Sequence, residues 1–468
     1  MKKTIILSLF VPVLHFSQAQ YISDVRRYVP APGQFINAAP WGWPASAESI
    51  KDDMNGALSL GAYGGYVIFT FEEPVQNNPY NPYGVDFTIF GNAIPGISEP
   101  GIVWVMKDEN NNDLQDDTWY ELAGSDYYFS GSRSNYEVTY FNPMQITAAD
   151  VPWSDNLGDS GFIYANSFHT QPYYPLADSF YLVNEEQHTY KGSAVSQLID
   201  STDISILKSP QRAFGYADNH PRGSEPYDIP DNPYTPELEN SGGDAFDISW
   251  AVDTSGNYVD LDEIDFVKVQ TACIGKNPLL GEISTEISGA VDIDYVPNLQ
   301  GPMETIVIKH LPMPLKVKEH QLEVVYFSMG RPVTYYDLMW EVNMPEAYVD
   351  ENKVLHVSKS GELQITARVV QDTAIKGSIS TYVDLEEAGV HAHTGEHRIP
   401  VFPNPAKDYL QTGISGTGTF QIIDMQGREM ISSSNSGGKI DISYLEAGLY
   451  IIRIRNQEKI FFSRFIKE

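Results

Sequence analysis

The amino-acid sequence predicts an all-β protein, a large jelly-roll-like β-sandwich followed by two smaller β-sandwiches. Three observations lead there. Runs of five to seven β-branched and aromatic residues recur, as in Tyr66 to Phe71, Asp86 to Phe90, Ile102 to Met106, Glu137 to Phe141, Phe246 to Val252 and Ile264 to Gln270. Clusters of Gly, Pro and Asn separate them, as in Gln76 to Gly84. Helical periodicity is scarce, and its best stretch is Ser193 to Ile206. In Phe246 to Val252 the apolar residues Phe246, Ile248, Trp250 and Val252 alternate with Asp247, Ser249, Ala251 and Asp253, which predicts one continuous half-buried strand. Sheets with long connections and little helix are the mark of a sandwich.

The chain opens with Lys2 and Lys3, an apolar run from Thr4 to Phe16, and Ser17-Gln18-Ala19. This predicts a signal peptide over 1–19, cleaved after Ala19. A membrane anchor needs about 20 apolar residues, and Pro12 interrupts this run. No Cys follows the small residues, which speaks against a lipid anchor, and no transmembrane segment is expected after signal cleavage. Cys273 is the one cysteine, so there is no disulfide framework. Its neighbours Val267, Val269 and Ala272 predict a buried structural thiol.

A length of 468 residues suits roughly two to four domains. Residues 20–295 are acidic and loop-rich and form the large sandwich. Residues 296–390 form a smaller β-patterned unit, 391–398 a linker, and 399–468 a third unit. Lys plus Arg number 30 against 62 Asp plus Glu, a net charge of -32. That excludes nucleic acid as the main partner, because phosphate binding needs clustered cations. It also argues against docking on anionic lipid. Hydrophobic content of 42% is too high for a disordered acidic chain.

Asp108 to Asp117 is the stretch with the most chemistry. Asp108, Asn110 and Asn112 are spaced by two, Leu114 can offer its carbonyl, and Asp116 falls at the ninth position. Alternate oxygen donors on a tight loop suit Ca²⁺. The EF-hand pattern fails at Asp113, where Gly belongs, and at Trp119, where Glu belongs. The competing reading is a solvated turn held by Asx side chains. Trp41, Trp43, Trp153, Tyr173 and Tyr174 lie in Pro/Gly-rich loops and are the candidate platform for sugar rings, with core plugging as the bland alternative. Asp86, Asn92, Glu99, Asp218, Asp244 and Asp247 could furnish a second cation site or polar cleft, or serve as caps. His391, His393 and His397 in the linker have metal-like spacing but read as a solvated tract.

The order Ser59 to Gly65, Gly84 to Asn92, Ser98 to Met106, Asp117 to Ser125, Gly215 to Asn219 and Phe246 to Asp253 resembles uncharacterised bacterial cell-surface proteins that carry PKD or Ig-like companion domains. No ligand or catalytic residue comes with that resemblance. Between 323 and 367, the Trp340 strand, Ala347 to Asp350 and Gly361 to Ala367 resemble bacterial Ig-like repeats, which implies a spacer with Trp340 between two sheets. The last unit begins Val401-Phe402-Pro403-Asn404-Pro405, continues through Phe420 to Asp424 and Gln426-Gly427-Arg428, and ends in Gly448-Leu449-Tyr450 and Phe465-Ile466-Lys467. It resembles the C-terminal sorting domain of type IX secretion cargo. Its eight basic and seven acidic residues set it apart from the acidic body. The resemblance implies handling by the type IX secretion machinery, export through the outer membrane, and a secreted or cell-surface location.

No G-x-S-x-G, Walker loop or HExxH occurs. The sequence therefore predicts a non-catalytic, Ca²⁺-braced surface protein that binds an extracellular glycan or scavenged nutrient. The alternatives are a polysaccharide hydrolase using an Asp/Glu pair and a purely structural adhesin.

Overall fold

The computed structural model describes residues 20–176, 180, 186–202, 208–221, 243–277, 281–293, 303–385, 397–398, 401–412, 418–424, 429–435, 439–456 and 459–468. The proposed signal peptide and most of the linker, with His391 and His393, lie outside them, as do the join at 294–302 and Gly427. The chain divides into two compact units, Met1–Leu385 and Glu386–Glu468.

The frame of the first unit is a six-stranded antiparallel sheet. Its spatial order is Asp24–Val29, Tyr66–Thr70, Phe266–Thr271, Gly101–Met106, Trp119–Leu122 and Ala251–Val252. Alternation along each strand gives the sheet two chemically different faces. On the inner face Val67, Val103 and Val269 form one cross-strand row, and Phe69, Val105 and Val267 form the next. All six are buried against Phe87, Ile89, Phe246 and Ala290 in the main core. Those last residues come from a second sheet, ordered Asp244–Phe246, Phe87–Phe90 and Gly289–Asp292. Two sheets with one shared core make the predicted sandwich.

A four-stranded sheet, ordered Ser160–Ile163, Val151–Asp155, Arg133–Phe141 and Gln187–Ala194, has its own tyrosine-rich core. The predicted helix from Ser193 is therefore not formed over its first residues, which end a strand. Its residues 203–207 lie outside the described set. The predicted continuous strand Phe246 to Val252 is also corrected. Asp244–Phe246 pairs in the smaller sheet, Ile248–Trp250 is a 3₁₀ turn, and Ala251–Val252 joins the six-stranded sheet. The Asp247 carboxylate accepts the Ser249 N–H at 2.7 Å and caps that turn, so the chain changes sheets there.

Residues 303–385 form three small antiparallel sheets around a separate core that includes Leu355, Leu363, Ile365 and Val383. Trp340 is half-buried and packs against that core. These residues are also tied to the large sandwich. Phe327 is fully buried in the large core, its ring edge-on to Phe214 at 5.1 Å and to Tyr128 at 5.4 Å. Trp250 Nε1–H donates to the Met329 carbonyl at 3.1 Å. Arg331 donates from Nε to the Ser249 carbonyl at 2.9 Å and lies over the Tyr258 ring. Glu323 accepts the Ser130 N–H at 2.7 Å and the Lys309 ammonium at 2.6 Å. A spacer would need few such contacts; here an aromatic side chain of this segment, Phe327, is part of the large core.

The second unit has a five-stranded sheet ordered His397–Arg398, Lys459–Lys467, Gly448–Asn456, Gly418–Asp424 and Glu429–Asn435, and a three-stranded one. Its core contains Leu410, Ile422, Ile452 and Phe465. Asn404 of the Pro-Asn-Pro turn accepts the Ile466 N–H at 2.9 Å through Oδ1 and donates Nδ2–H to the Arg464 carbonyl at 3.2 Å. The Ala406 N–H also donates to the Ile466 carbonyl, and the Ala406 carbonyl accepts the Glu468 N–H. The opening turn thus clamps the last strand of the chain.

Truncating a buried ring costs about 3–5 kcal/mol. Phe327→Ala is expected to lower the melting temperature of the mature chain and to split the calorimetric transition of residues 20–385 into two. A single transition at the original temperature contradicts the shared core.

Candidate functional site

Register across the six-stranded sheet assembles a polar row on its outer face. Arg27 pairs with Ile68, Ile68 with Lys268, Lys268 with Trp104, and Trp104 with Glu121. Directly paired residues point to the same face. Tyr66 and Trp119, two positions along their strands, share it. At the Gln270 end this face is covered: Gln270 Nε2 donates to the carbonyls of Gly64 and Lys191. Toward the other end Ile68, Met106 and Phe266 are buried in a small cluster with Tyr66 and Trp119 packed on it, and a pocket opens beside that cluster. There Arg27, Tyr66, Ile68, Lys268 and Trp119 line a pocket of about 390 Å³ together with Leu114, Gln115 and Asp116.

Lys268 sits between two rings, with Nζ 5.1 Å from the Tyr66 centroid and 5.4 Å from that of Trp104. Burial pulls its pKa down to about 8, against the opposing attraction of Glu121. Glu121 is itself pushed up to about 7 by burial, offset by a hydrogen bond from the Ser193 hydroxyl. Lys268 and Arg27 form no ion pair among the described residues.

The acidic loop supplies the third wall. Asp108 accepts the backbone N–H groups of Asn112 at 3.1 Å and Asp113 at 2.8 Å. Asn112 Oδ1 accepts the Leu114 N–H at 2.8 Å. The Asn112 amide lies 3.3 Å from both Asp116 carboxylate oxygens, and the Asn110 amide 3.5 Å from Oδ1. Asn110, Asn112 and Asp116 therefore converge. Asp108 is engaged in turning the backbone, as an Asx turn does. Arg26 Nη2 binds Asp113 at 2.7 Å and anchors the loop to the first strand.

The five aromatics read from sequence are dispersed. Tyr173 and Tyr174 are corrected from loop platform to core: both are buried with Tyr63, Tyr140 and Tyr190. Tyr173 Oη accepts the Asn166 N–H at 3.1 Å. Bulky rings fill the space between the four-stranded sheet and the main body, where burial outweighs exposure to a ligand. Trp153 is half-buried against the same core. Trp43 is exposed at the start of the 3₁₀ turn Pro44–Ile50, and Trp41 is half-buried with its ring 6.0 Å from Phe35.

In a second cluster Asp218 and Glu286 are buried and Glu99 is half-buried. Ligand oxygens of Glu99, Asp218 and Glu286 lie within 4.8 Å of one another. Asp218 is in the left-handed region at φ 55°, held by N–H groups of Asn92, Ala93 and Glu286 at 2.8–2.9 Å. Its approach to Gly91 is so close that a Cβ there would stand 2.2 Å from Oδ1. Burial, then the Asp218 charge, raises Glu99 to about 8. Burial raises Asp218 to about 7, and burial with both neighbours raises Glu286. Glu99 accepts the Ser284 N–H at 3.2 Å and Glu286 accepts the Ser284 hydroxyl at 2.8 Å, so Ser284 bridges the two carboxyls. An oxygen-only donor set of this kind also suits a hard divalent cation. Asp244 stands beside it, bonded to His220 Nδ1 at 2.9 Å. Asp86 and Asp247 form a different pair that caps turns: Asp86 accepts from Asn78 and Ile248 N–H groups.

Sequence reasoning named Glu99 and Asp218 but missed Glu286, Lys268, Arg27, Tyr66 and Trp104. The signals were present. Lys268 interrupts an apolar strand, and Glu282 and Glu286 interrupt another between Gly281 and Gly289.

Residues 400–468 match the secretion system C-terminal sorting domain family. They mark the chain as type IX cargo, exported through the outer membrane to the cell surface or released. No curated protein matches the chain. Among solved structures, the Yersinia pseudotuberculosis adhesin InvE is 9% identical over 35% of this chain and 58% of its own, with a TM-score of 0.13. This chain therefore spans less than two thirds of that structure. Three N-terminal domains of the bacteriophage RB49 outer capsid protein Hoc are 9% identical over 45% of this chain and 84% of theirs, TM-score 0.17. Latent PorU from Porphyromonas gingivalis is 10% identical over 71% of this chain and 29% of its own, TM-score 0.11. Likenesses this distant carry no functional information.

The interior carboxyls make a pH prediction. Folding raises their pKa, so their contribution is whole below the unfolded value of about 4 and is lost as pH rises through the folded values. In EDTA the melting temperature of the mature chain is expected to fall between about pH 4 and 8, from the unfolded carboxyl values to the folded ones, each such carboxyl costing about 1.4 kcal/mol per pH unit inside that window. Glu286→Gln should flatten that fall; a wild-type profile already flat in EDTA contradicts the raised carboxyls.

Proposed function

From a chain that is exported through the outer membrane as type IX cargo, we propose a non-catalytic, Ca²⁺-braced binding protein for an extracellular glycan or scavenged nutrient. One observation carries this reading: a pocket of about 390 Å³ in which aromatic rings and two cations without an ion pair among the described residues share one sheet face. Pockets of this size and lining are where small ligands bind. Tyr66 and Trp119 offer apolar faces to sugar C–H groups, and Gln115 and Asp116 offer hydrogen-bonding groups to hydroxyls. A glycosidase needs two carboxyls flanking the scissile bond; the pocket lining has one, Asp116. That supports a binder over the hydrolase alternative.

Ca²⁺ belongs to the acidic loop in this reading, with Asp108, Asn110, Asn112, Asp116 and the Leu114 carbonyl as ligands. The convergence of Asn110, Asn112 and Asp116 supports it, once the amides present oxygen inward; amide orientation follows the partner present. Because Leu114, Gln115 and Asp116 also line the pocket, an ion in the loop would set one pocket wall. Metal and ligand would then be coupled.

The mature chain on a glycan array should retain at least one saccharide class in Ca²⁺ and lose most of that signal in EDTA. Calorimetric titration should give Ca²⁺ affinity of about 10⁻⁴–10⁻³ M, abolished in an Asn110→Ala/Asn112→Ala variant. An array without binding in Ca²⁺ removes the binding reading, and retention that ignores EDTA removes the bracing role.

A further inference from the structure

The proposed pocket has a charge that the rest of the protein lacks. With 62 acids against 30 bases, most surfaces of this chain repel anions. Yet Arg27 and Lys268 stand on one face, one strand apart on either side of Ile68, and both line the pocket. Strands are spaced by about 4.8 Å, so the two Cα atoms are about 10 Å apart. Glu121, in the same row, is equally far from Lys268 beyond Trp104, and it accepts the Ser193 hydroxyl. The Lys268 ammonium is held by two ring faces and by no carboxylate among the described residues. Ring faces replace only part of a lost hydration shell, as its lowered pKa of about 8 registers. An anion arriving in the pocket would restore what burial removed. The Trp104 Nε1–H, in the same row, is buried without a hydrogen-bond partner among the described residues.

The two chemistries in the pocket select a ligand that has both. Tyr66 and Trp119 suit the C–H face of a pyranose ring. Arg27 and Lys268 suit a carboxylate, Arg by a planar fork and Lys by a point charge. Asp116, on the loop wall, can accept a hydrogen bond from a sugar hydroxyl. We infer that this pocket receives a uronic acid residue of an acidic polysaccharide, its ring on Tyr66 and Trp119 and its carboxylate between Arg27 and Lys268. This rests on the saccharide-binding reading above and names the class of sugar.

Tri-galacturonic acid, its methyl ester and neutral galactotriose, titrated calorimetrically into the mature chain with Ca²⁺, separate the possibilities. The acid should bind at least about tenfold more tightly than the ester or the neutral sugar. Lys268→Gln and Arg27→Gln should each lower that affinity at least about tenfold, while melting curves stay within a few degrees of the parent. Equal affinity for acid, ester and neutral sugar overturns the uronate assignment and leaves saccharide binding standing. No binding of any of the three, by a protein that retains other saccharides on an array, likewise overturns it. Tight uronate binding that survives both substitutions in folded protein overturns this pocket as the site.

Discussion

Everything in the large sandwich depends on the pairing register of the six-stranded sheet. The strand Phe266–Thr271 lies near its centre and sends Val267 and Val269 to the core and Lys268 to the other side. A slip of one residue would exchange the faces, burying an ammonium among Val67, Val103 and Phe69. An unpaired charge in a dry core costs far more than any single apolar contact returns. The core thus enforces the position of Lys268, and with it the row from Arg27 to Glu121. The polar face is a by-product of sealing the apolar one, which ties the strand-borne wall of the pocket to the core beneath it.

The interior carboxyls obey a different constraint. Glu99, Asp218 and Glu286 come from three separate segments, and each accepts or shares hydrogen bonds that close the loops above the smaller sheet. Their backbone donors satisfy oxygens that burial has taken from water. Burial and repulsion between neighbouring carboxylates together push these carboxyls up in pKa. The left-handed Asp218 and the close approach of Gly91 show how tightly the backbone is drawn around this point. Docking of residues 303–385 through Phe327, Trp250 and Arg331 extends the same rigidity beyond the large core.

Much of this was legible in the sequence. Short alternating runs gave the strands, and Pro-Asn-Pro through the terminal Phe-Ile-Lys gave the sorting unit. The errors have physical causes. The run Phe246 to Val252 alternates like one strand, but Asp247 caps a turn inside it and the chain changes sheets. Tyr173 and Tyr174 look like loop aromatics because their neighbours are Pro and Gln, yet a separate core needs their volume. Lys268 was visible as a lone cation in an apolar strand, but its partners Tyr66 and Trp104 lie far away in sequence and only register brings them together. Glu286 was hidden likewise, since three carboxyls from distant segments leave no local spacing to read.

The central claim is that the polar face of the sheet, organised around Lys268, is a ligand surface. A crystal structure of the mature chain with bound oligogalacturonide tests it most directly. The account predicts a sugar carboxylate within hydrogen-bond distance of Lys268 Nζ or the Arg27 guanidinium, with the ring against Tyr66 or Trp119. Density for the sugar elsewhere on the protein, with this pocket closed over by Leu114 and Gln115, would contradict it.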